Sequence, residues 1–400
     1  MNGPIISIDV SNGYSHVQGY INEKQKYGGV RKINHDVEGF NFLLKKLEEL
    51  QKKTGEEVKV VYEATGVYTS PLQRFLTKNN IVQYMVSPLQ SAKQRQTEIH
   101  NKKTDKLDPK SIAAVYYSKE LREYKAEELI YHKMRQMNRN YEDKMEHMRK
   151  YKIAFQNSLS CVFPGYMKLF KDGYSDISLT ILKYYPHPDL IKNKHPETVA
   201  KKIEKHSNHH YPTCLSYAKK VIKFANETYS GCEKDDYAIE VMLQLLQNIQ
   251  DTSKELDEIL TSLIEIAQEL PNYQLLLSID GIGPNLASRI LAELGDISKF
   301  KTRESLVAYV GVDPNIYQSG QLNGLHYRIS KKGNKRLRCL LYLAVTCNLR
   351  SKKNNPIKSF YEKKKQQSNP LPSKAAKIAC TTKLIRIIFG MCYNGTVFNR

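Results

Sequence analysis

The sequence predicts an α/β domain built on a mixed sheet, followed by a long and mainly helical remainder. Three observations lead there. Short β-branched runs alternate with helical periods over residues 4–86. Two amphipathic stretches, 127–161 and 234–270, carry apolar side chains at steps of three and four. Positive charge is crowded at the end: Gln321–Arg400 holds 18 Lys and Arg against one acid, Glu362.

Taken in order, PIISIDV at 4–10 reads as a short buried strand with Asp9 at its end. A turn at Ser11–Gly13 leads into an alternating strand, and a third strand is expected around Tyr27–Ile33. Apolar residues at 37, 40, 43, 44, 47 and 50 have a helical period. Val58–Tyr62 is a β-branched run, a central strand with Glu63 at its carboxyl end. A helix over Pro71–Lys78 and a strand over Ile81–Val86 follow. The segment KKTDKLDPKSIAA, Lys102–Ala114, then opens a helix, since Pro109 is tolerated in a first turn. Asp105 and Asp108 stand three apart and share a face of it. As local sequence alone, the pair reads more simply as a cap with first-turn acids, with Thr104 or Asp105 capping.

From Glu127 the chain is polar and helical, with Met134, Met137, Tyr141, Met145 and Met148 forming a packing seam. Val162–Cys232 reads as a less regular insert, and His206, His209 and His210 in it as a solvated loop without ligand partners. Lys234–Leu270 is a second long amphipathic helix, so an antiparallel hairpin is expected. In LLLSIDGIGPNLASRILAELGD, Leu275–Asp296, Gly281 and Gly283 sit in a turn between two helices, a helix-hairpin-helix-like unit. Glycine there lets backbone N–H groups approach a phosphate, though a plain packing turn explains it as well. Gly311–Leu325 is a polar loop containing Ser319, with no His or Asp spaced for a hydrolase triad. Arg328, Lys331, Lys332, Lys335, Arg336 and Arg338 crowd around the turn Gly333-Asn334.

The composition narrows the class. A formal charge of +21 and a pI near 9.4 suit a polyanionic partner, most simply nucleic acid. A basic ribosome-like or membrane-surface protein is the rival. No apolar run reaches about 18 residues, and MNGPIISIDV lacks the form of a secretory signal, so a cytoplasmic protein is expected. Seven cysteines without a C-x-x-C pair suit reduced, mostly buried thiols. Trp is absent and 27 Tyr are present, which suits a base-stacking surface. The acids Asp9, Glu63, Asp105 and Asp108 fit a hard cation: Mg²⁺ takes oxygen ligands and keeps positions for water and phosphate. Two such ions can clamp a phosphodiester.

In order and content, IISIDVSNGYSH, YEATGVY and KTDKLD resemble the N-terminal domain of the DEDD insertion-sequence transposases. This is the IS one-ten family, which includes bridge-RNA-guided recombinases and Piv-type invertases. The resemblance implies a RuvC-like, ribonuclease-H fold over 1–125 and assigns Asp9, Glu63, Asp105 and Asp108 to its acidic tetrad. SIDGIGPNLASRILAELGDISKF, AYVGVDP, YQSG and ISKKGNKRLR resemble the family's C-terminal transposase domain, expected over 271–400. A helical, coiled-coil region with its insert would fill 126–270. The family's nucleophilic serine falls at Ser319. Two departures stand out: Asp280 where relatives have proline, and Leu322-Asn323 where they carry smaller polar residues. The matching segments cover roughly half to two-thirds of the chain.

The resemblance implies strand exchange through a phosphoserine, assisted by Mg²⁺ (or Mn²⁺) on the acids. Donor and target DNA, a guide RNA, a homodimer or tetramer, and a nucleoid-associated location follow from it. The cluster Arg328–Arg338 and the glycines Gly281 and Gly283 would hold nucleic-acid backbone. Three rivals come from other classes. A metal-only RuvC-like nuclease or junction resolvase would leave Ser319 idle. A sugar-kinase or actin-like ATPase needs a second glycine-rich phosphate loop, which the sequence lacks. A noncatalytic nucleic-acid-binding protein explains the charge but not the four acids.

Overall fold

The computed structural model describes residues 3–88, 90, 91, 94, 108–118, 121, 123, 124, 129–314, 318, 319, 322, 323 and 329–398, with backbone alone at 108, 318, 319, 322 and 323. The chain divides into two compact units, Met1–Glu127 and Glu128–Arg400.

The first unit is a five-stranded sheet in the order β3-β2-β1-β4-β5. Its strands are β1 (Ile5–Val10), β2 (Tyr14–Asn22), β3 (Gln25–Asn34), β4 (Lys59–Glu63) and β5 (Gln83–Val86). The hairpin strands β1, β2 and β3 pair antiparallel, whereas β1, β4 and β5 run parallel. Helices α1 (Val37–Thr54) and α2 (Ser70–Lys78) supply the crossovers, as parallel neighbours require. Asp36 caps α1 by accepting from the Gly39 N–H at 2.7 Å, and Gly55 ends it in a left-handed conformation. Alternation then separates two cores. Ile6, Ile8, Val60 and Tyr62 face Leu43, Leu47 and Leu72 of α1 and α2. Ile5, Val61, Tyr84 and Val86 face Ile112, Val115 and Tyr116 of α3 (Asp108–Ser118). Each fully buried branched side chain contributes about 1.5–3 kcal/mol. The expected mixed sheet and its element order are present.

The second unit begins with α4 (Leu129–Val162), about 51 Å long at 1.5 Å per residue. It pairs with α9 (Tyr237–Gln268). Met134 shares a core with Leu263 and Ala267, while Leu159 shares another with Ile239 and Met242, so the two helices run antiparallel. The methionine seam holds at Met134 and Met148, but Met145 is 45 % exposed.

The stretch between them is helical, not irregular: α5 (Asp176–Tyr184), α6 (Pro188–Ile191), α7 (Pro196–His206) and α8 (Tyr211–Glu227). Pro188, Pro196 and Pro212 sit in the first turns of α6, α7 and α8. The prolines that look like interruptions are starts, because a first turn needs no N–H from them. These helices close the second core with Phe155, Ile181, Val199 and Val221.

The remaining helices are α10 (Pro271–Leu277), α11 (Pro284–Leu294), α12 (Arg303–Val310), α13 (Lys335–Arg350), α14 (Pro356–Lys365) and α15 (Ser373–Asn394). They share one core with the near ends of α4 and α9, through Tyr131, Met134, Leu263, Leu291, Leu341 and Leu384. The stretches 126–270 and 271–400 are therefore packed together within one unit. All seven cysteines are free; Cys214 and Cys380 are buried, but Cys161 and Cys339 are exposed, so burial is less general than expected. Among the described residues no helix is long and apolar enough to cross a membrane.

Candidate active-site residues and nucleic-acid interface

Two of the four acids stand side by side. The parallel register pairs Ile8 with Tyr62, so one step further puts Asp9 beside Glu63 at the carboxyl ends of β1 and β4. Both are half-buried and, by alternation with Ile5 and Val61, point to the face that α3 covers. Asp108 is the first residue of α3. The next residue, Pro109, accepts at its carbonyl a 2.5 Å hydrogen bond from Ser7 Oγ. Ser7 lies two residues before Asp9 on the same face, so the start of α3 is anchored next to the acid row. Asp105 lies outside the described residues, as does the side chain of Asp108. Among the described residues no group of three His, Cys, Asp or Glu side chains could hold a metal ion.

The same row contains residues that sequence reasoning passed over. Asp9 pairs with His16 on β2, and His16 with Lys32 on β3. His16 Nδ1 is buried without a hydrogen-bond partner, and the Tyr14 ring meets the imidazole edge-on at 5.7 Å. The signal was the period-two run Tyr14, His16, Gln18, Tyr20, a polar and aromatic face where core residues would be expected. Two carboxylates and an orphaned ring nitrogen on one sheet face suit a polar ligand. The oxygen donors suit a hard divalent cation.

Ser319 is not in an irregular loop. β6 (Gln318–Ser319) and β7 (Leu322–Asn323) form an antiparallel ladder that pairs Ser319 with Leu322. Ser319 and Leu322 form the inner pair of this short ladder. The base of the hairpin is closed: Pro314 bridges to Ile329, and the Ser330 N–H donates to Asp313 O at 2.8 Å. Ser330 Oγ donates to Asp313 Oδ1 at 2.5 Å, and the Asn334 N–H to Tyr309 O at 2.6 Å. Gly333 makes that closure possible, since a Cβ there would stand 2.1 Å from Tyr309 O.

The basic cluster divides. Arg328 lies outside the described residues, and Lys331, Lys332 and Lys335 are exposed. Arg336 is engaged: its Nε donates to Glu142 at 2.7 Å, and Asp143 lies 3.9 Å away. Arg338 Nη1 donates to Val310 O at 2.8 Å. Gly281, at φ +86°, packs on the end of α13, where a Cβ would stand 2.5 Å from Asn348 N. Close backbone packing therefore accounts for that glycine, while Gly283 caps α11 and is exposed.

Behind the hairpin lies a buried polar network. Glu293 of α11 is fully buried; it accepts from Asn138 Nδ2 at 3.0 Å and Asn334 Nδ2 at 2.9 Å. Asn138 Oδ1 accepts from Arg289 Nε at 2.9 Å, and Arg289 also donates to Glu142 at 3.2 Å. The network ties α4 to α11 and to the start of α13.

Comparison with known proteins matches two families. Residues 6–164 match the transposase family of DEDD, IS110 type, and 273–362 match the transposase IS116/IS110/IS902 family. The first match contains all four acids and the second contains Ser319. A pilin gene-inverting protein of Moraxella lacunata is 28 % identical over 157 residues, 39 % of this chain and 48 % of the relative. A transposase for insertion sequence element IS1328 of Yersinia enterocolitica is 27 % identical over 179 residues, 42 % of this chain and 50 % of the relative. An uncharacterized protein of insertion element IS116 of Streptomyces clavuligerus is 26 % identical over 160 residues, 39 % and 36 %. This chain thus spans 36 % to 50 % of these relatives' lengths. The two family matches lie in order along the chain and together take up more than half of it; the chain belongs to the IS110-type family of DEDD transposases.

Proposed function

We propose that the chain is a DNA transposase of an insertion sequence that cuts and rejoins strands through a phosphoserine at Ser319, with sequence chosen by a guide RNA. The observation that carries this reading is the parallel register of β1 and β4, which ends at Ile8–Tyr62 and so brings Asp9 and Glu63 to adjacent strand ends, on the face where α3 begins at Asp108. Sites in open α/β sheets form at such ends.

Asp9, Glu63, Asp105 and Asp108 would hold Mg²⁺ or Mn²⁺. That ion would neutralise non-bridging phosphate oxygens and help ionise the attacking hydroxyl. Ser319, on the β6–β7 ladder, would supply the attacking hydroxyl. The Oγ–P bond forms as the P–O bond to the 3′-oxygen breaks, leaving a free 3′-hydroxyl. A 3′-hydroxyl of the partner strand then attacks phosphorus and releases Ser319, so no net hydrolysis occurs. Guide pairing would leave the protein to grip shape and backbone. Exchange of several strands needs several serines, so a homodimer or tetramer acts. Its place of action would be the nucleoid, in the cytoplasm.

The test is to incubate the full chain with DNA, denature, and look for DNA covalently attached to protein. Ser319→Ala and Asp9→Asn are each expected to abolish the adduct. Normal cutting by Ser319→Ala would sink the serine mechanism and leave a metal-only nuclease or resolvase. Undiminished activity in Asp105→Asn would favour a noncatalytic nucleic-acid-binding protein.

A further inference from the structure

A second large store of positive charge lies beyond the serine segment, on and just before the last two helices. Arg350–Arg386 holds eleven Lys and Arg and one acid, Glu362. α14 and α15 pack against each other. Among the described residues, none of these cations forms an ion pair, whereas Arg289 and Arg336 do.

Several of these side chains are held by groups that leave the charge intact. Lys364 and Lys383 stand over the Phe360 ring at 5.4 and 4.9 Å from its centroid. Lys383 Nζ also donates to Pro356 O at 2.8 Å, and Lys365 Nζ to Leu371 O at 3.0 Å. Lys377 stands 5.7 Å over Tyr342. Rings and carbonyls order an ammonium without neutralising it. Lys352, Lys353, Lys363 and Lys374 are exposed. So much like charge on one helix pair repels itself, and a polyanion relieves that repulsion.

We propose that the α14–α15 face is a duplex-DNA-binding surface that holds the phosphate backbone. This rests on the DNA-acting reading above. Lysines offer point charges instead of the bidentate fork that reads bases, so the grip is independent of sequence. The family match stops at residue 362, which leaves the end of α14 and all of α15 outside it.

The experiment measures how binding of the full chain to a mixed-sequence duplex falls with salt. Each phosphate contact adds about 0.9 to the slope of log K against log salt. Lys363→Gln/Lys364→Gln/Lys365→Gln is expected to lower that slope by about 2–3. The same three changed to Arg should keep it, with thermal melting as the check on folding. Lys219→Gln/Lys220→Gln/Lys223→Gln, exposed on α8, removes equal charge elsewhere and should leave the slope unchanged. An unchanged slope in the α14 variant overturns the proposal, and so does an equal loss in the α8 variant, which would mean net charge alone. A loss seen only with a structured RNA also overturns it and moves the surface to RNA. A wild-type chain that binds no duplex sinks the DNA reading as a whole.

Discussion

Glu293 is the group whose removal should cost the second unit most. Its carboxylate is fully buried and accepts from two side-chain amides, Asn138 Nδ2 at 3.0 Å and Asn334 Nδ2 at 2.9 Å. The amide orientations are fixed by chemistry: Asn138 Oδ1 takes the Arg289 Nε–H, and Asn334 Oδ1 takes the Leu337 N–H at 3.1 Å. Neither can turn to satisfy itself. Glu293→Ala strands one buried and one half-buried donor at about 1–3 kcal/mol each and opens a cavity, roughly 3–5 kcal/mol in all. At about 2–4 °C per kcal/mol for a large domain, melting of the full chain should fall by roughly 6–20 °C. Glu293→Gln keeps one acceptor but turns an NH₂ toward the other amide, so roughly 1–3 kcal/mol is expected. Asn334 caps α13, so losing its anchor should also speed hydrogen exchange at the Leu337 amide. If Glu293→Ala melts within about 2 °C of wild type and the Leu337 amide exchanges as before, the network does not hold the unit together.

Two further predictions concern the hairpin base and the thiols. Gly333→Ala forces a Cβ to 2.1 Å from Tyr309 O, so the base of the hairpin must open; covalent DNA trapping should be lost while far-UV circular dichroism stays near wild type, and a variant that traps normally would refute the need for that closure. Burial pushes the Cys380 thiol up to about 11 and the Cys392 thiol up to about 12, so both remain protonated and inert at neutral pH. Mass spectrometry after brief alkylation at pH near 8 should therefore find label on the exposed Cys161 and Cys339 first, and early label on Cys380 would contradict the burial.

The sequence carries strong local signals and weak pairing signals. Strands and helices of the first unit are readable because β-branched runs and helical periods are properties of a few neighbouring residues. Asp9 and Glu63 are recognisable as strand-end acids, but their adjacency depends on the β1–β4 register, a pairing across more than fifty residues. His16 escapes for a related reason, since it matters only as the cross-strand neighbour of Asp9. Charge counting misleads at Arg336, whose partner Glu142 lies 194 residues earlier. The insert is misread because Pro188, Pro196 and Pro212 look like breaks when they open helices.

The Glu293 network also explains how the family's two matched segments cohere around an insertion. α4 lies within the first match, and α11 and the start of α13 lie within the second. Asn138 and Glu142 on α4 meet Arg289 and Glu293 on α11; Glu142 also accepts from Arg336 of α13, and Glu293 from Asn334 at the α13 cap. These contacts bypass α5–α8, which add a separate core at the far end of the α4–α9 hairpin. Changes in the insert should therefore leave the support of Ser319 intact as long as Asn138, Glu142 and Glu293 keep their partners. The third and fourth turns of α4, α11 and the base of the serine segment form one continuous polar junction, and this junction anchors that base in the second unit.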